Sequence, residues 1–305
     1  MKIYISASSA SASPAPASLA SASRTPGSPR ISVLGIPYDA SSSFMLGPAE
    51  GPDAIRRVLN NGASNMSTES GFDLSESDLW SDVGNIGLDE LGVPGTVVEV
   101  IEREITRRLD ENSRVLVLGG DHSILFPIMK STRPRHESIT LIQLDAHSDL
   151  YDELDGDRYS HACPAARTME LFPDIRLIQI GIRTLNSHQK EQAERFGVEI
   201  FTAREWSIEH LPMIHGPVYL SLDLDVLDPA FAPGVSHHEP GGLSTRQVLQ
   251  IIQALPDNLI GADIVELNPR RDPSELTAAV AAKCLKEILE KMIVSLQILG
   301  PPGTE

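Results

Sequence analysis

Short apolar segments alternate with helical segments along most of this chain, and this alternation limits its fold more than any other feature. The predicted strands are Ile31–Ile36, Arg114–Leu118, Ile139–Leu144, Ile175–Ile180, Val198–Phe201, Val218–Leu224 and Leu259–Val265. The predicted helices are Asp53–Leu59, Pro94–Leu109, Ser123–Met129, Ala162–Leu171, Gln189–Phe196, Thr245–Leu255 and Pro273–Met292. Such alternation favours a mostly parallel sheet with helices on both faces, so the sequence predicts a three-layer α/β/α fold.

The composition excludes several functional classes. The chain has a formal net charge of -17, so it offers no broad basic surface for a nucleic acid. It contains no apolar run of the roughly 18 residues that a membrane helix needs. Its two cysteines, Cys163 and Cys284, lie far apart and predict no disulfide framework. We therefore expect a soluble protein of a reducing compartment, the cytoplasm, that binds neither nucleic acid nor membrane.

Residues 1–30 differ in composition from the rest of the chain. They are rich in Ser, Ala and Pro, and they contain no acidic residue. Such a segment buries too little apolar surface to order itself, so we predict a disordered tail followed by one domain over residues 31–305. An organelle transit peptide is the alternative, although the tail lacks a convincing Arg-rich amphipathic helix. A long polar connection is predicted between Leu59 and Asp78.

Three predicted strands end in residue types that bind metals. Their ends carry Gly119-Gly-Asp-His-Ser123, Asp145-Ala-His-Ser-Asp149 and Asp223-Leu-Asp225. The carboxyl ends of parallel strands meet at one edge of the sheet, where ligands bind in open α/β folds. The sequence therefore predicts one cleft with four carboxylates and two imidazoles, from His122, Asp145, His147, Asp149, Asp223 and Asp225.

This cleft requires cations, because four clustered carboxylates repel one another and would otherwise take up protons. Two divalent ions would neutralise them. An oxygen-rich ligand set with one histidine per ion suits Mn²⁺ better than Zn²⁺, and the affinity order leaves Co²⁺, Ni²⁺ and Fe²⁺ as alternatives. The simpler interpretation, that these Asp and His residues only cap turns, does not account for three such motifs at one edge.

The three motifs resemble the metal-binding signatures of the ureohydrolase family, which contains arginases, agmatinases and related guanidino hydrolases. The resemblance extends from Ile31 to Met292 and is closest to plant-type arginases. The segments that carry this closer resemblance are Tyr159-Ser-His-Ala162, Ala232-Pro-Gly-Val-Ser-His237, Glu239-Pro-Gly-Gly-Leu-Ser244 and Glu266-Leu-Asn-Pro269. It implies an arginase-like fold, a binuclear manganese centre that releases urea, and a homo-oligomer, commonly a trimer or hexamer.

The resemblance also implies roles for individual residues. One manganese ion would be bound by His122, Asp145, Asp149 and Asp223, and the other by Asp145, His147, Asp223 and Asp225. Asp145 and Asp223 would bridge the ions, and Asp149 would also hold the attacking hydroxide. His161 matches the proton-shuttle histidine, and Glu266 matches the acid that pairs with the substrate guanidinium.

The substrate stays open between arginine, agmatine and another small cationic guanidino compound such as guanidinobutyrate. Similarity along the whole domain favours arginine. Tyr151 is typical of agmatinases and also of plant-type arginases, so it decides neither. His237 stands where animal-type arginases and agmatinases carry a Thr-Gly-Thr-Pro segment. We interpret Tyr151 and His237 as candidate substrate contacts, with an exposed loop histidine as the alternative for His237.

Two further interpretations complete the sequence-based hypotheses. A catalytically silent family member that binds amines is a remote alternative, because such proteins usually lose metal ligands. Arg183 is a candidate partner for an anionic group, with a structural ion pair as the alternative. Cys163 lies two residues after His161, and we expect it to be a small buried residue and not a nucleophile.

Overall fold

An eight-stranded sheet forms the centre of the computed structural model, which describes residues 30–87 and 94–299. The strands are β1 Arg30–Ile36, β2 Trp80–Asn85, β3 Ser113–Gly119, β4 Thr140–Leu144, β5 Arg176–Ile182, β6 Glu199–Thr202, β7 Val218–Asp223 and β8 Leu259–Val265. Their order is β2-β1-β3-β8-β7-β4-β5-β6, and every neighbouring pair is parallel. The predicted parallel α/β sheet is confirmed.

Helices cover both faces of this sheet. They are α1 Gly51–Asn60, α2 Pro94–Asp110, α3 Leu125–Thr132, α4 Pro164–Leu171, α5 Ser187–Phe196, α6 Thr245–Ala254 and α7 Leu276–Leu299. Helices α1, α6 and α7 pack in one hydrophobic core, and α2, α3, α4 and α5 contribute to a second. The three-layer prediction is therefore confirmed. No helix in the described ranges is long and apolar enough to cross a membrane.

The apolar residues of strand β3 contribute alternately to the two hydrophobic cores. Leu116 and Leu118 lie in the core with α7, whereas Val115 and Val117 lie in the core with α2. Successive side chains of a strand point to opposite faces, so a strand covered on both sides must be apolar at nearly every position. That requirement explains why the buried central strands are recognisable in the sequence.

Strand β2 was not predicted, because its sequence is polar. It contains Ser81, Asp82 and Asn85, and it lies at the edge of the sheet beside β1 with most of its residues partly or fully exposed. An edge strand needs only one partner and little apolar surface, so period-2 hydrophobicity does not reveal it.

The ends of several elements differ from the predicted ones. Strand β7 ends at Asp223, and a 3₁₀ turn covers Leu224–Val226. Helix α7 begins at Leu276, not Pro273, and continues to Leu299. The predicted disordered tail lies outside the described residues except for Arg30, which begins β1.

The order of the strands brings the four motif-bearing strands together. β3, β8, β7 and β4 are consecutive neighbours in the sheet, and β3 and β4 lie on either side of the β8–β7 pair. From β3 the chain crosses to β4, winds outwards through β5 to β6, and returns to place β7 and β8 between β4 and β3. The loops after these four strands therefore meet at the carboxyl edge, where ligands bind in open α/β sheets.

Candidate active site

The loop after β3 brings the first candidate ligand to the carboxyl edge. A Cβ atom at Gly120 would collide with the backbone carbonyl of Tyr38, so only glycine allows this close approach. Asp121 then accepts hydrogen bonds from Ser123 N at 3.1 Å and from Ser41 N at 3.0 Å. These contacts attach the segment after β1 to the turn that carries His122.

His122 lies among three carboxylates at the ends of β4 and β7. Its Nδ1 atom is 3.1 Å from Asp145 Oδ2, 3.0 Å from Asp149 Oδ2 and 3.3 Å from Asp223 Oδ2. All four side chains are buried. The structure thus brings together the four residues that the sequence assigned to one ion.

A second group lies beside the first. His147 Nδ1 is 2.9 Å from Asp225 Oδ2 and 3.7 Å from Asp145 Oδ1. Asp145 therefore turns one carboxylate oxygen towards each histidine, which is the arrangement a bridging ligand requires. Asp223 Oδ1 instead accepts a 2.8 Å hydrogen bond from Asp225 N, so only its Oδ2 atom faces His122.

The chemistry of these groups fits divalent cations. His122 Nδ1 is buried and makes no hydrogen bond in the described structure, although three carboxylate oxygens lie close to it. Burial and then the charge of Asp145 raise the pKa of Asp149 to about 6. Burial, Asp225 and Asp145 raise the pKa of Asp223 well above its usual value. Positive charge is needed to keep these carboxylates ionised together, and the unpaired nitrogen is a free ligand atom.

A hydrogen-bonded chain behind His122 sets its tautomer. Ser221 Oγ donates to Asp263 Oδ1 at 2.7 Å, so its oxygen accepts from His122 Nε2 at 2.8 Å. The proton of the neutral ring then resides on Nε2, and the Nδ1 lone pair points towards the carboxylates of Asp145, Asp149 and Asp223. A partner of this kind orients a histidine ligand and raises its basicity.

We expect Ser221→Ala to weaken metal affinity roughly 10–100-fold, because this change removes the group that orients His122. The measurement is a manganese titration against a competing chelator. Ser148→Ala is the matched control, since the Ser148 hydroxyl is also buried in a ligand motif but has no hydrogen-bond partner in the described structure. Equal affinities for the two variants would contradict the orienting role of Ser221.

Glu266 and His161 lie next to the cluster formed by His122 and its three neighbouring carboxylates. Glu266 Oε1 is 2.8 Å from His161 Nδ1, and it accepts a 3.0 Å hydrogen bond from the backbone N–H of His122. On the other side of the ring, Ser43 N donates to His161 Nε2 at 3.1 Å, and Ser43 Oγ lies 2.9 Å from the same nitrogen. Both ring nitrogens of His161 are therefore in polar contact.

Two opposing influences act on the protonation of His161. Burial lowers the pKa of the imidazole, but the charge and hydrogen bond of Glu266 outweigh this and raise the pKa to about 9. The Ser43 backbone N–H instead requires a lone pair on Nε2, which only the neutral ring offers. Glu266 favours the protonated imidazole and the Ser43 N–H favours the neutral one, so His161 is suited to gain and lose a proton.

Two of the candidate residues have unusual backbone conformations. Asp149 has φ 52° and Glu266 has φ 66°, in the left-handed region that residues with a Cβ rarely adopt. Each costs about 1–3 kcal/mol, and such strain is typical of functional sites. Hydrogen bonds hold both positions, from Ala166 N to Asp149 O and from Glu266 N to Gly120 O.

A cavity of about 440 Å³ opens above the two histidine–carboxylate groups. Five of the six predicted ligands line it, and Asp145 is buried beneath them. Its far wall consists of Tyr151, Leu154, Thr184, Leu185, Asn186 and Gln189. None of the described residues that line the cavity is a lysine or an arginine.

The two predicted substrate contacts lie on different sides of this cavity. The Tyr151 hydroxyl accepts a 2.6 Å hydrogen bond from Asn186 Nδ2, and its ring stacks on His188 at 5.8 Å. His237 is half-buried, with ring centroids 5.2 Å from His161 and 5.5 Å from Phe44. His237 is therefore not an exposed loop residue.

Two residues considered from the sequence are not available for chemistry in this cavity. Arg183 donates to the carbonyl of Val226 at 3.0 Å and to that of Asp225 at 2.6 Å, so it braces the backbone and forms no ion pair in the described structure. The Cys163 thiol is buried, and burial raises its pKa to about 12. It would be protonated near neutral pH and thus a poor nucleophile.

The structure adds residues that sequence reasoning missed. Ser43 contacts His161, Ser221 contacts His122, and Asp263 accepts a hydrogen bond from Ser221. Glu239 Oε1 lies 3.8 Å from His147 Nε2. Ser221 was accessible from the sequence, because it precedes Asp223 by two positions and so shares its face of β7. No local signal marks Ser43.

These features define a class of protein. It is an α/β protein with a parallel sheet and a candidate metal centre at the carboxyl edge, made of two histidine–carboxylate groups beside a Glu–His pair.

Comparison with known proteins narrows this class. The family model described as "Arginase family" matches residues 29–290. Arginase 1, mitochondrial, of Arabidopsis thaliana is 42% identical over 275 residues, which span 86% of this chain and 80% of the relative. The chain belongs to the arginase family.

Other relatives include arginases and agmatinases. The structure of the arginase from Medicago truncatula matches with a TM-score of 0.80 at 39% identity, over 87% of this chain and 88% of the other. An agmatinase of Bacillus cereus is 33% identical over 266 residues, which span 85% of this chain and 91% of that protein. Identity is thus higher to the plant arginases than to this agmatinase.

Proposed function

We propose that the protein hydrolyses arginine to ornithine and urea. The observation that carries this proposal is the joining of both histidine–carboxylate groups and the Glu266–His161 pair in one cavity. The 42% identity to a plant arginase over most of the chain supports the same reaction. Water supplies the oxygen of urea, and the terminal amine of ornithine is the leaving group.

The residues suited to hold the metal divide into two sets. His122, Asp145, Asp149 and Asp223 would hold one ion, and Asp145, His147, Asp223 and Asp225 would hold the other. The oxygen-rich sets favour two Mn²⁺ ions, with Co²⁺, Ni²⁺ or Fe²⁺ to be distinguished by metal titration. When bound, the ions would lower the pKa of a coordinated water and balance the charge of the carboxylates.

Glu266 is suited to grip the guanidinium group of the substrate. Its contacts with His161 and His122 N both use Oε1, which leaves Oε2 for a donor from the substrate. A charged carboxylate and a planar cation form strong, directional hydrogen bonds. The strained backbone at Glu266 aims the side chain into the cavity between the metal ligands and His161.

Asp149 and His161 would handle protons. Asp149 lines the cavity beside His122, where its carboxylate can accept a hydrogen bond from the attacking water and orient it. The amine must be protonated to leave. His161 lines the cavity, and its raised pKa makes it a proton donor near neutral pH. Ser43 would hold the ring in place while the proton moves.

The far wall of the cavity would receive the other end of the substrate. Because no lysine or arginine is among its described lining residues, neutral donors such as Asn186, Gln189 and the Tyr151 hydroxyl would bind the α-carboxylate of arginine. His237 and Phe44 border the opposite side. This lack of positive charge also makes agmatine, which has no carboxylate, the second candidate substrate.

The test is urea release by the manganese-loaded protein with arginine, agmatine and guanidinobutyrate in parallel. We expect the highest kcat/KM with arginine. A higher kcat/KM with agmatine would show that agmatine, and not arginine, is the preferred substrate. Absence of urea from all three, with two ions bound per chain, would refute the proposed activity and favour a silent member that binds amines.

Assembly and compartment are separate proposals. We propose a homo-oligomer, a trimer or a hexamer. Size-exclusion chromatography with light scattering measures the mass in solution, and the mass of a monomer would contradict this proposal. We also propose a cytoplasmic location. The printed names of several plant relatives include mitochondrial or chloroplastic, so residues 1–30 as a targeting segment are the alternative. Imaging of the full chain with a C-terminal fluorescent tag distinguishes the two.

A further inference from the structure

A second large cavity lies at the opposite edge of the sheet from the candidate active site. Its volume is about 460 Å³, and its walls include the first residues of β3 and β8 and the last residues of α2 and α3. Arg114, Arg135 and His136 line it, together with one carboxylate, that of Asp110. Nothing in the proposed reaction uses this cavity.

Arg114 is the unusual member of this group. Its side chain is on a central strand and only 8% of the residue is exposed. Its Nη1 atom donates to Leu259 O at 2.9 Å and to Ser295 Oγ at 2.7 Å, but no carboxylate in the described structure forms an ion pair with it. Buried arginines are usually paired, because an uncompensated charge is costly away from water.

The charge on Arg114 is present at neutral pH. Burial lowers the pKa of its guanidinium to about 10, which still leaves it protonated. Burial and then the charges of Arg114, Arg133 and Arg135 lower the pKa of His136 to about 4, so this ring is neutral and keeps one N–H donor. Burial is the main cause of this fall, and the three arginines add to it.

The other charges near the cavity are already balanced. Arg135 pairs with Asp110 and also donates to Ser131 O at 2.7 Å. Arg133 pairs with Asp174 outside the lining. The residues that line the cavity include two arginines and one carboxylate, and Arg114 is the arginine that forms no ion pair in the described structure.

We propose that this cavity binds a small oxyanion, a phosphate or a carboxylate, between Arg114, His136 and Arg135. Such a ligand accepts the charge-assisted hydrogen bonds that a guanidinium forms best. The strand β3 separates the site from His122 by roughly 15–20 Å, given its rise of about 3.3 Å per residue. Occupancy therefore stabilises the fold without contact with the guanidino substrate.

The test is a titration of the metal-loaded full chain with inorganic phosphate and, separately, with succinate. Sodium chloride at matched ionic strength is the reference. We expect saturating oxyanion to raise Tm by about 3 °C over the chloride reference. Calorimetry gives the affinity, and the phosphate and succinate arms show which oxyanion the cavity prefers.

Variants show where the anion binds. We expect Arg135→Gln to lower the affinity roughly tenfold, the loss of one charged hydrogen bond. Arg135 is exposed, so this variant should fold. Arg107→Gln is the control, because Arg107 is an exposed arginine of α2 outside the cavity lining, and it should leave the affinity unchanged. Absence of binding would overturn the proposal. Equal affinities for the two variants would also overturn it, because the anion would then bind elsewhere, such as at the metal centre.

Discussion

Replacing Asp145 with alanine is expected to deplete both metal ions and to reduce urea production at least about 10³-fold. The physical reason is the position of this carboxylate, whose two oxygens face His122 and His147. No other carboxylate of the group contacts both histidines within ion-pair distance in the described structure. Elemental analysis of the dialysed protein measures the metal, and a urea assay measures the turnover.

Asp228→Asn provides the control for this experiment. Asp228 belongs to the same motif as Asp223 and Asp225, but its oxygens accept from the backbone N–H groups of Ala230 at 2.9 Å and Gly241 at 2.7 Å. It serves a turn and lies outside the cavity lining, so its variant should retain metal. Two ions per chain in the Asp145→Ala protein would refute the bridging role.

The second large effect is expected from Glu266→Gln, which keeps the shape of the side chain and removes its charge. We expect kcat/KM to fall roughly 10²-fold, because truncating or neutralising one partner of a buried charge pair costs about 2–5 kcal/mol. KM should rise, since the guanidinium is held by this charge before the chemistry starts. The measurement is steady-state kinetics at saturating manganese.

The same variant makes a second prediction, for the pH dependence. Glu266 raises the pKa of His161, so removal of its charge should lower that pKa from about 9. The protonated ring would then be lost at lower pH, and the basic limb of the kcat profile should move to lower pH. Glu239→Gln is the matched control, because Glu239 is also near a site histidine but is partly exposed. An unchanged basic limb in the kcat profile of Glu266→Gln would contradict the role of His161 as the proton donor.

The two cavities lie at opposite edges of one sheet and have opposite electrostatic character. The carboxyl edge gathers carboxylates and suits metal ions and a cationic substrate, whereas the amino edge carries Arg114, which forms no ion pair among the described residues. Strands β3 and β8 reach both, since β3 begins near Arg114 and leads to His122, and β8 begins near Ile260 and leads to Glu266. The two cavities nevertheless share no lining residue, so the variants at one edge should leave ligand binding at the other unchanged.

The sequence alone determined the class of fold and the candidate metal ligands. Central strands such as β3 and β7 are buried on both faces, so their apolar runs are visible without a structure. The candidate ligands follow directly at the ends of these strands, within a few residues of each apolar run. Local pattern and local chemistry coincide there, and a parallel sheet has only one edge where the strand ends can meet.

Only the tertiary structure decided the contacts that set tautomers, charge and access. Ser43 meets His161 across 118 positions of sequence, and Ser221 meets Asp263 across 42. The polar edge strand β2 and the unpaired charge of Arg114 likewise depend on which elements become neighbours. Such pairings arise from the packing of distant segments, and hydrophobic periodicity carries no information about which polar side chains will then face each other.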